Sequence, residues 1–210
     1  LDGPGGTQVP NLVLDAIRSA YIDHNANFDG KFTTSIDAGA AVAEARTAVA
    51  DFLGATDSSQ ISFGANMTTL NFSLSHGLAR SMNRGDEIVI TQLDHEANRG
   101  PWLKLKDQGI VVREAKLNID GTLDAEDLSQ QINERTRIVA IGMASNALGT
   151  VTDLRQTREL CDKFGAYLVV DAVHFAAHFP IDVTTLGVDF LLCSAYKFYG
   201  PHIGILYSRS

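Results

Sequence analysis

Two segments late in the sequence set reactive side chains where strands should end. Val169-Val170-Asp171 puts a carboxylate at the close of an apolar run. A charge buried there is costly unless a cation or hydrogen-bond donors face it, and a protonated pyridine nitrogen is one group that would. At position 197, 26 residues after 171, a second apolar run (Phe190-Leu191-Leu192-Cys193-Ser194-Ala195-Tyr196) delivers Lys197. A lysine just past a buried strand can give up its proton and act as a nucleophile.

Taken singly, these residues have plainer readings. Lys197 beside a Gly-Pro turn fits a surface lysine, and Asp171 fits a helix cap or a strand-end ion pair. His95 and His174 fit structural histidines, and Asn146 ahead of Gly149 fits a turn former. The remaining histidines, His24, His76, His178 and His202, read as structural or exposed. The chemistry rests on order and joint placement.

Asp171-Ala172-Val173-His174 and Ser194-Ala195-Tyr196-Lys197, followed by Gly200-Pro201-His202-Ile203-Gly204, resemble the class V aminotransferase and cysteine desulfurase family of fold-type I pyridoxal-phosphate enzymes. The resemblance extends over nearly the whole chain. It implies pyridoxal 5′-phosphate as cofactor, held in a Schiff base by Lys197, with Asp171 keeping the pyridine nitrogen protonated as an electron sink. His174 falls where the family hydrogen-bonds the 3′ oxygen of the ring.

Asp94-His95-Glu96-Ala97-Asn98 resembles the family's His-x-Ala-Asn segment, which makes His95 the ring-stacking group and a candidate acid or base. Lys197, His95 and Asp171 are therefore the candidate catalytic residues. Gly64-Ala65-Asn66-Met67-Thr68 loosely resembles the family's phosphate-binding turn, with Ala65, Asn66 and Met67 as candidate contacts. Backbone N–H groups at a helix start favour an anion whatever the side chains. Ser194 would add a hydroxyl to the same phosphate. Tyr196 stands where many relatives have a histidine, and its phenol could replace that contact. Ser145-Asn146-Ala147-Leu148-Gly149-Thr150 resembles a Ser-Asn-x-x-Gly-Thr turn whose Asn146 reaches toward the ring oxygen and the substrate. Residues 1–10 resemble the amino-terminal stretch of a desulfurase-like branch.

The resemblance implies an enzyme acting on an amino acid that displaces Lys197 from the cofactor in an external aldimine. Either the amino group moves or a bond at the β or γ carbon breaks, as in cysteine desulfuration. A kynureninase-type lyase stays open, because Asp-x-x-His also occurs there, and so does a non-catalytic domain that keeps the fold. A desulfurase needs a cysteine on a mobile loop, which the family carries well past the lysine, as it does the arginine for the substrate carboxylate. Cys161 in a helical pattern and Cys193 in a buried-strand pattern are not substitutes. The family also implies a homodimer.

Composition narrows the partners. A formal charge of −8 argues against nucleic-acid and anionic-membrane surfaces. Two cysteines without CxxC or Cys/His spacing suggest neither a disulfide framework nor a metal site, and hence a reducing, cytoplasmic setting. No apolar run is long enough to span a membrane and no signal peptide is visible. A start without Met and a stop just after a strand-like run read as a piece of something longer, and the resemblance implies that a small carboxyl-terminal domain is absent.

The elements that must hold these residues alternate. A helix should follow Pro10 at its first position, and Ser35 should cap a second helix, Ile36 to Leu53, closed by Gly54. Strands are expected at 61–63, 87–91, 111–115, 137–143, 167–171, 190–194 and 203–207. Helices are expected to open from a turn at 64–69 toward Arg80, near Pro101 to Gln108, at 125–132 behind Asp124, and at 153–164. The pattern predicts a three-layer α/β/α fold with a mostly parallel sheet, which the resemblance identifies as the large domain of a fold-type I enzyme. Residues 1–34 would form an amino-terminal segment with a helix and 35–210 the cofactor-binding domain. Asn66, His95, Asn146, Asp171 and Lys197 all fall at or after strand ends, where such sheets bind ligands.

Overall fold

The computed structural model describes residues 3–209. Its centre is one seven-stranded sheet: β1 (Ile61–Gly64), β2 (Glu87–Thr91), β3 (Val111–Ala115), β4 (Thr136–Gly142), β5 (Tyr167–Asp171), β6 (Phe190–Ser194) and β7 (Gly204–Ser208). The spatial order is β1-β7-β6-β5-β4-β2-β3. Strands β6, β5, β4, β2 and β3 run parallel, whereas β7 is antiparallel to both β6 and β1. The short return from Ser194 to Gly204 lacks the length of a crossover, so β7 can pair only in the antiparallel sense.

The central strands β2, β4, β5 and β6 read as near-continuous apolar runs because both faces are covered. Val139, Ile141, Leu168 and Val170 point into one core with Leu53, Leu128 and Cys161, while Ile138, Ala140 and Val169 point into the other with Met67, Trp102 and Leu105. The first core is roofed by α2 (Thr33–Leu53), α5 (Ala125–Gln131) and α6 (Arg155–Phe164), the second by α3 (Met67–Ala79) and α4 (Glu96–Leu103). The amino-terminal α1 (Asn11–Asp23) has no buried residue.

Several local expectations need correction. Pro10 stands one position before α1, in extended conformation, rather than inside its first turn. Ser35 does not cap α2, which starts behind Phe32. Ser35 is instead buried, its hydroxyl accepting from Gly30 N–H at 2.7 Å and donating to the Asn27 carbonyl at 2.5 Å. Gly54 does close α2 in the left-handed region, at φ 67°.

The helix expected near Pro101 begins earlier, at Glu96, and passes into a 3-10 turn over Lys104–Gln108. Pro101 lies inside it. The proline has no N–H for the carbonyl of Ala97, and the buried Asn71 amide donates to that carbonyl across 3.1 Å. A short helix, α7 (Val183–Leu186), capped by Asp182, was not anticipated.

Candidate active site

The carboxyl ends of β5 and β6, the turn after β2 and the start of α3 converge on one cleft. It encloses about 480 Å³ of empty space counting its open mouth.

Asp171 ends β5 with its carboxylate buried, Oδ1 accepting from the Val173 N–H at 2.9 Å. Among the described residues no hydrogen bond reaches Oδ2. Burial pushes this carboxyl up to about 7. The Val173 hydrogen bond and the Lys197 charge oppose that rise, and the nearby Asp94 charge adds to it. A buried carboxylate with one oxygen left to the cleft is suited to a cationic N–H partner.

Lys197 ends a 3-10 turn behind β6 and is itself buried. Its ammonium donates to the carbonyl of Pro4 and lies 4.8 Å from the centroid of the Tyr196 ring. The amino-terminal segment reaches this point because Thr7 donates to the Tyr196 carbonyl through both N–H and hydroxyl, at 2.9 and 3.0 Å. Tyr196 stacks on His202, with ring centres 4.4 Å apart and planes 9° off parallel.

The anion-binding end is built by the first turn of α3. Asn66 caps the helix, accepting from Thr69 N–H at 2.8 Å. Thr68 is the second residue of the helix and has no carbonyl four residues back within it. Gly204 lets β7 pass close by, because a Cβ there would run into the Asn66 backbone.

His95 caps α4, its Nδ1 accepting from Ala97 N–H at 3.1 Å. With Nδ1 so used, a neutral ring carries its proton on Nε2. The exposed imidazole then offers a flat face and a donor rather than a free base. Asn146 sits in a turn closed by Ser145, whose hydroxyl accepts from the N–H groups of Ala147 and Leu148. His174, driven down to about 4 by burial and then by the charges of Lys197, His95 and His178, is neutral near pH 7.

Asn66, Met67, His95, Asn146, Asp171, His174, Ser194, Tyr196 and Lys197 all line the cleft. Ala65 does not; it is exposed in the bend before α3. Thr68, Pro4, Ala97 and Val173 complete the lining and were not singled out from sequence. The position of Thr68 in a helical first turn was a readable signal, whereas nothing local marks Pro4. No group of three His, Cys, Asp or Glu residues able to hold a metal exists among the described residues.

The chain matches the Aminotransferase class-V family across residues 1–210. It is 36% identical over 214 residues to a probable cysteine desulfurase of Halalkalibacterium halodurans, covering 100% of this chain and 52% of the relative. It is 37% identical over 213 residues to a cysteine desulfurase of Enterobacter sp., again covering 100% and 52%. Among solved structures, the apo cysteine desulfurase from Thermococcus onnurineus NA1 superposes with a TM-score of 0.93 at 32% identity, covering 100% of this chain and 53% of that one. The chain thus spans about half the length of these relatives.

Proposed function

The chain belongs to the Aminotransferase class-V family, and from that membership we propose that it is the cofactor-carrying part of a pyridoxal-phosphate-dependent enzyme acting on an amino acid. Cysteine desulfuration is the branch its relatives' names support. The observation that carries the reading is one cleft holding a buried carboxylate with a free oxygen, Asp171, a buried primary amine, Lys197, and a helix start at Met67.

These residues fit the cofactor group by group. Pyridoxal phosphate, when bound, supplies an aldehyde that condenses with amines and a protonated ring that draws electrons from the adjoining carbon. Asp171 would pair with the ring nitrogen, ending the isolation of its second oxygen. Lys197 would give up the Pro4 carbonyl, hold the aldehyde carbon and later move the proton at the substrate Cα. His95 would cover one face of the ring. His174, neutral, and Asn146 would bind the ring oxygen. The phosphate would lie against the Thr68 N–H, the Ser194 hydroxyl and the Tyr196 phenol.

In this reading residues 35–210 form the cofactor-binding domain, with 1–34 as an amino-terminal segment reaching across it. The working protein is a cytoplasmic homodimer. A mobile-loop cysteine and an arginine for the substrate carboxylate, which the desulfurase reading requires, would have to come from outside these residues.

Borohydride reduction of the chain incubated with pyridoxal phosphate, followed by peptide mass mapping, tests the assignment. The expected result is one reduced adduct, on Lys197, absent from Lys197→Ala. An adduct on another lysine, or the same labelling in Lys197→Ala, would overturn it. In the full-length protein, sulfide release from cysteine rather than keto-acid formation identifies the desulfurase branch.

A further inference from the structure

Between β2 and β4 the sheet opens before either strand ends. The two pair up to Val89 and Val139, and beyond that point β2 continues only against β3, through Ile90 and Thr91. The backbone of Gly142, at the end of β4, therefore faces a gap where a neighbouring strand would stand.

Asp94 fills the gap. Its Oδ1 accepts from the Gly142 N–H at 2.5 Å, and its Oδ2 accepts from both the N–H and the hydroxyl of Thr91, each at 2.9 Å. The carboxylate is buried, and with three donors converging on it the acceptor-only, ionised form is the one that satisfies them all. Gly142 leaves room for it, since a Cβ there would stand 2.9 Å from Asp94 Oδ1.

Two neighbours make this bridge relevant to the site. The next residue along the chain is His95. Gly142, across the bridge, is the register partner of Asp171 on β5, and the Asp171 carbonyl accepts from Met143 N–H at 2.9 Å. The bridge thus ties the turn carrying His95 to the strand end carrying Asp171, by side chain where the ladder has stopped. We propose that Asp94 is a positioning residue that sets His95 against Asp171, fixing the slot between them. The proposal rests on the reading that this slot receives the pyridine ring. The Asp94 charge also acts on Asp171, and a second negative charge beside the slot favours a cationic group within it.

Asn at position 94 must turn its NH₂ either toward the Gly142 N–H or toward the N–H and hydroxyl of Thr91, losing an acceptor and setting donor against donor. If Asp94 works through His95, removing both residues costs little more than removing His95 alone. The test is a double-mutant cycle on pyridoxal-phosphate affinity, read by absorbance titration with Asp94→Asn, His95→Ala and the double variant, alongside their melting temperatures. Asp94→Asn is expected to weaken binding about tenfold, the scale of one or two hydrogen bonds, and the double variant to match His95→Ala. Gly142→Ala, which crowds the carboxylate from the other side, is expected to weaken binding too, and carries the test should Asp94→Asn fail to fold. Losses that multiply in the double variant, or a lowered melting temperature with unchanged affinity, would overturn the proposal. A wild-type chain that takes up no cofactor at Lys197 would instead remove the cofactor reading, and the proposal with it.

Discussion

The hydroxyl of Ser194 accepts a hydrogen bond from the backbone N–H of Met67 across 3.1 Å, joining the last residue of β6 to the first residue of α3. The donor is one of the helix-start N–H groups that have no partner within the helix. Because the oxygen is occupied as an acceptor, the hydroxyl proton is left to donate to an anion at the same point.

Ser194→Ala should therefore weaken pyridoxal-phosphate binding while leaving the fold in place. The net loss expected is about 1 kcal/mol, or roughly fivefold in affinity. A titration against pyridoxal phosphate and against pyridoxal separates the effects: the alanine variant should lose the advantage of the phosphate. Equal losses for both ligands would place Ser194 away from the phosphate.

Asp171 has a stability signature of its own. Its folded carboxyl holds a proton up to about pH 7, against an ordinary value of 3.8, mainly through burial. The folded state then binds more protons than the unfolded state between those values. Stability of the unliganded chain must fall as pH rises from about 4 through about 7, with the cost complete above that. Asp94, raised by burial to about 6, acts in the same direction. Asp171→Asn keeps the acceptor for Val173 N–H and removes the buried charge. Calorimetry at several pH values should show the variant gaining on wild type across that window and melting several degrees higher at pH 8. A constant difference at all pH values would contradict the burial argument.

Neither cysteine should serve as a sulfur carrier. Burial pushes the Cys161 thiol up to about 12, and it raises Cys193 as well, with the Asp171 charge adding to the rise. Only the thiolate is nucleophilic. Iodoacetamide at pH 8 should leave both unmodified in the folded chain and label both in urea. Rapid labelling of the native protein at either position would reopen the question of a local sulfur acceptor.

Gly204→Ala probes the packing that holds the anion-binding turn. A Cβ at this position meets the Asn66 backbone, and rigid backbone cannot move aside as a side chain can. Overpacking of this kind costs about 1–3 kcal/mol, so a lower melting temperature and weaker phosphate binding should appear together. A variant as stable as wild type would mean that α3 shifts freely against β7.

Much of this architecture was legible in order along the chain because its causes are local. Asp124 caps α5 by accepting from Glu126 and Asp127, and Gly54 closes α2 at positive φ. The runs at 87–91, 111–115, 167–171 and 190–194 matched their strands to the residue, the first, third and fourth because apolar runs of that length bury both faces of a parallel sheet. The failures have an equally physical cause. Ser35 looked like a cap but spends its hydroxyl on Asn27 and Gly30. Pro101 looked like a helix start, yet Asn71 on another helix satisfies the carbonyl it leaves open.

By itself, the sequence determined which residue types stand at or after strand ends: a carboxylate at 171, an amine at 197, a histidine at 95 and an asparagine at 66. Those positions follow from apolar patterning, which spans a few residues. Only the tertiary structure decided how they meet. The Ser194 bond to Met67, the Lys197 bond to Pro4 and the Asp94 bridge to Gly142 join residues far apart in the chain. Such contacts depend on strand order and on where the ladder between β2 and β4 opens, and neither leaves a mark in local patterning.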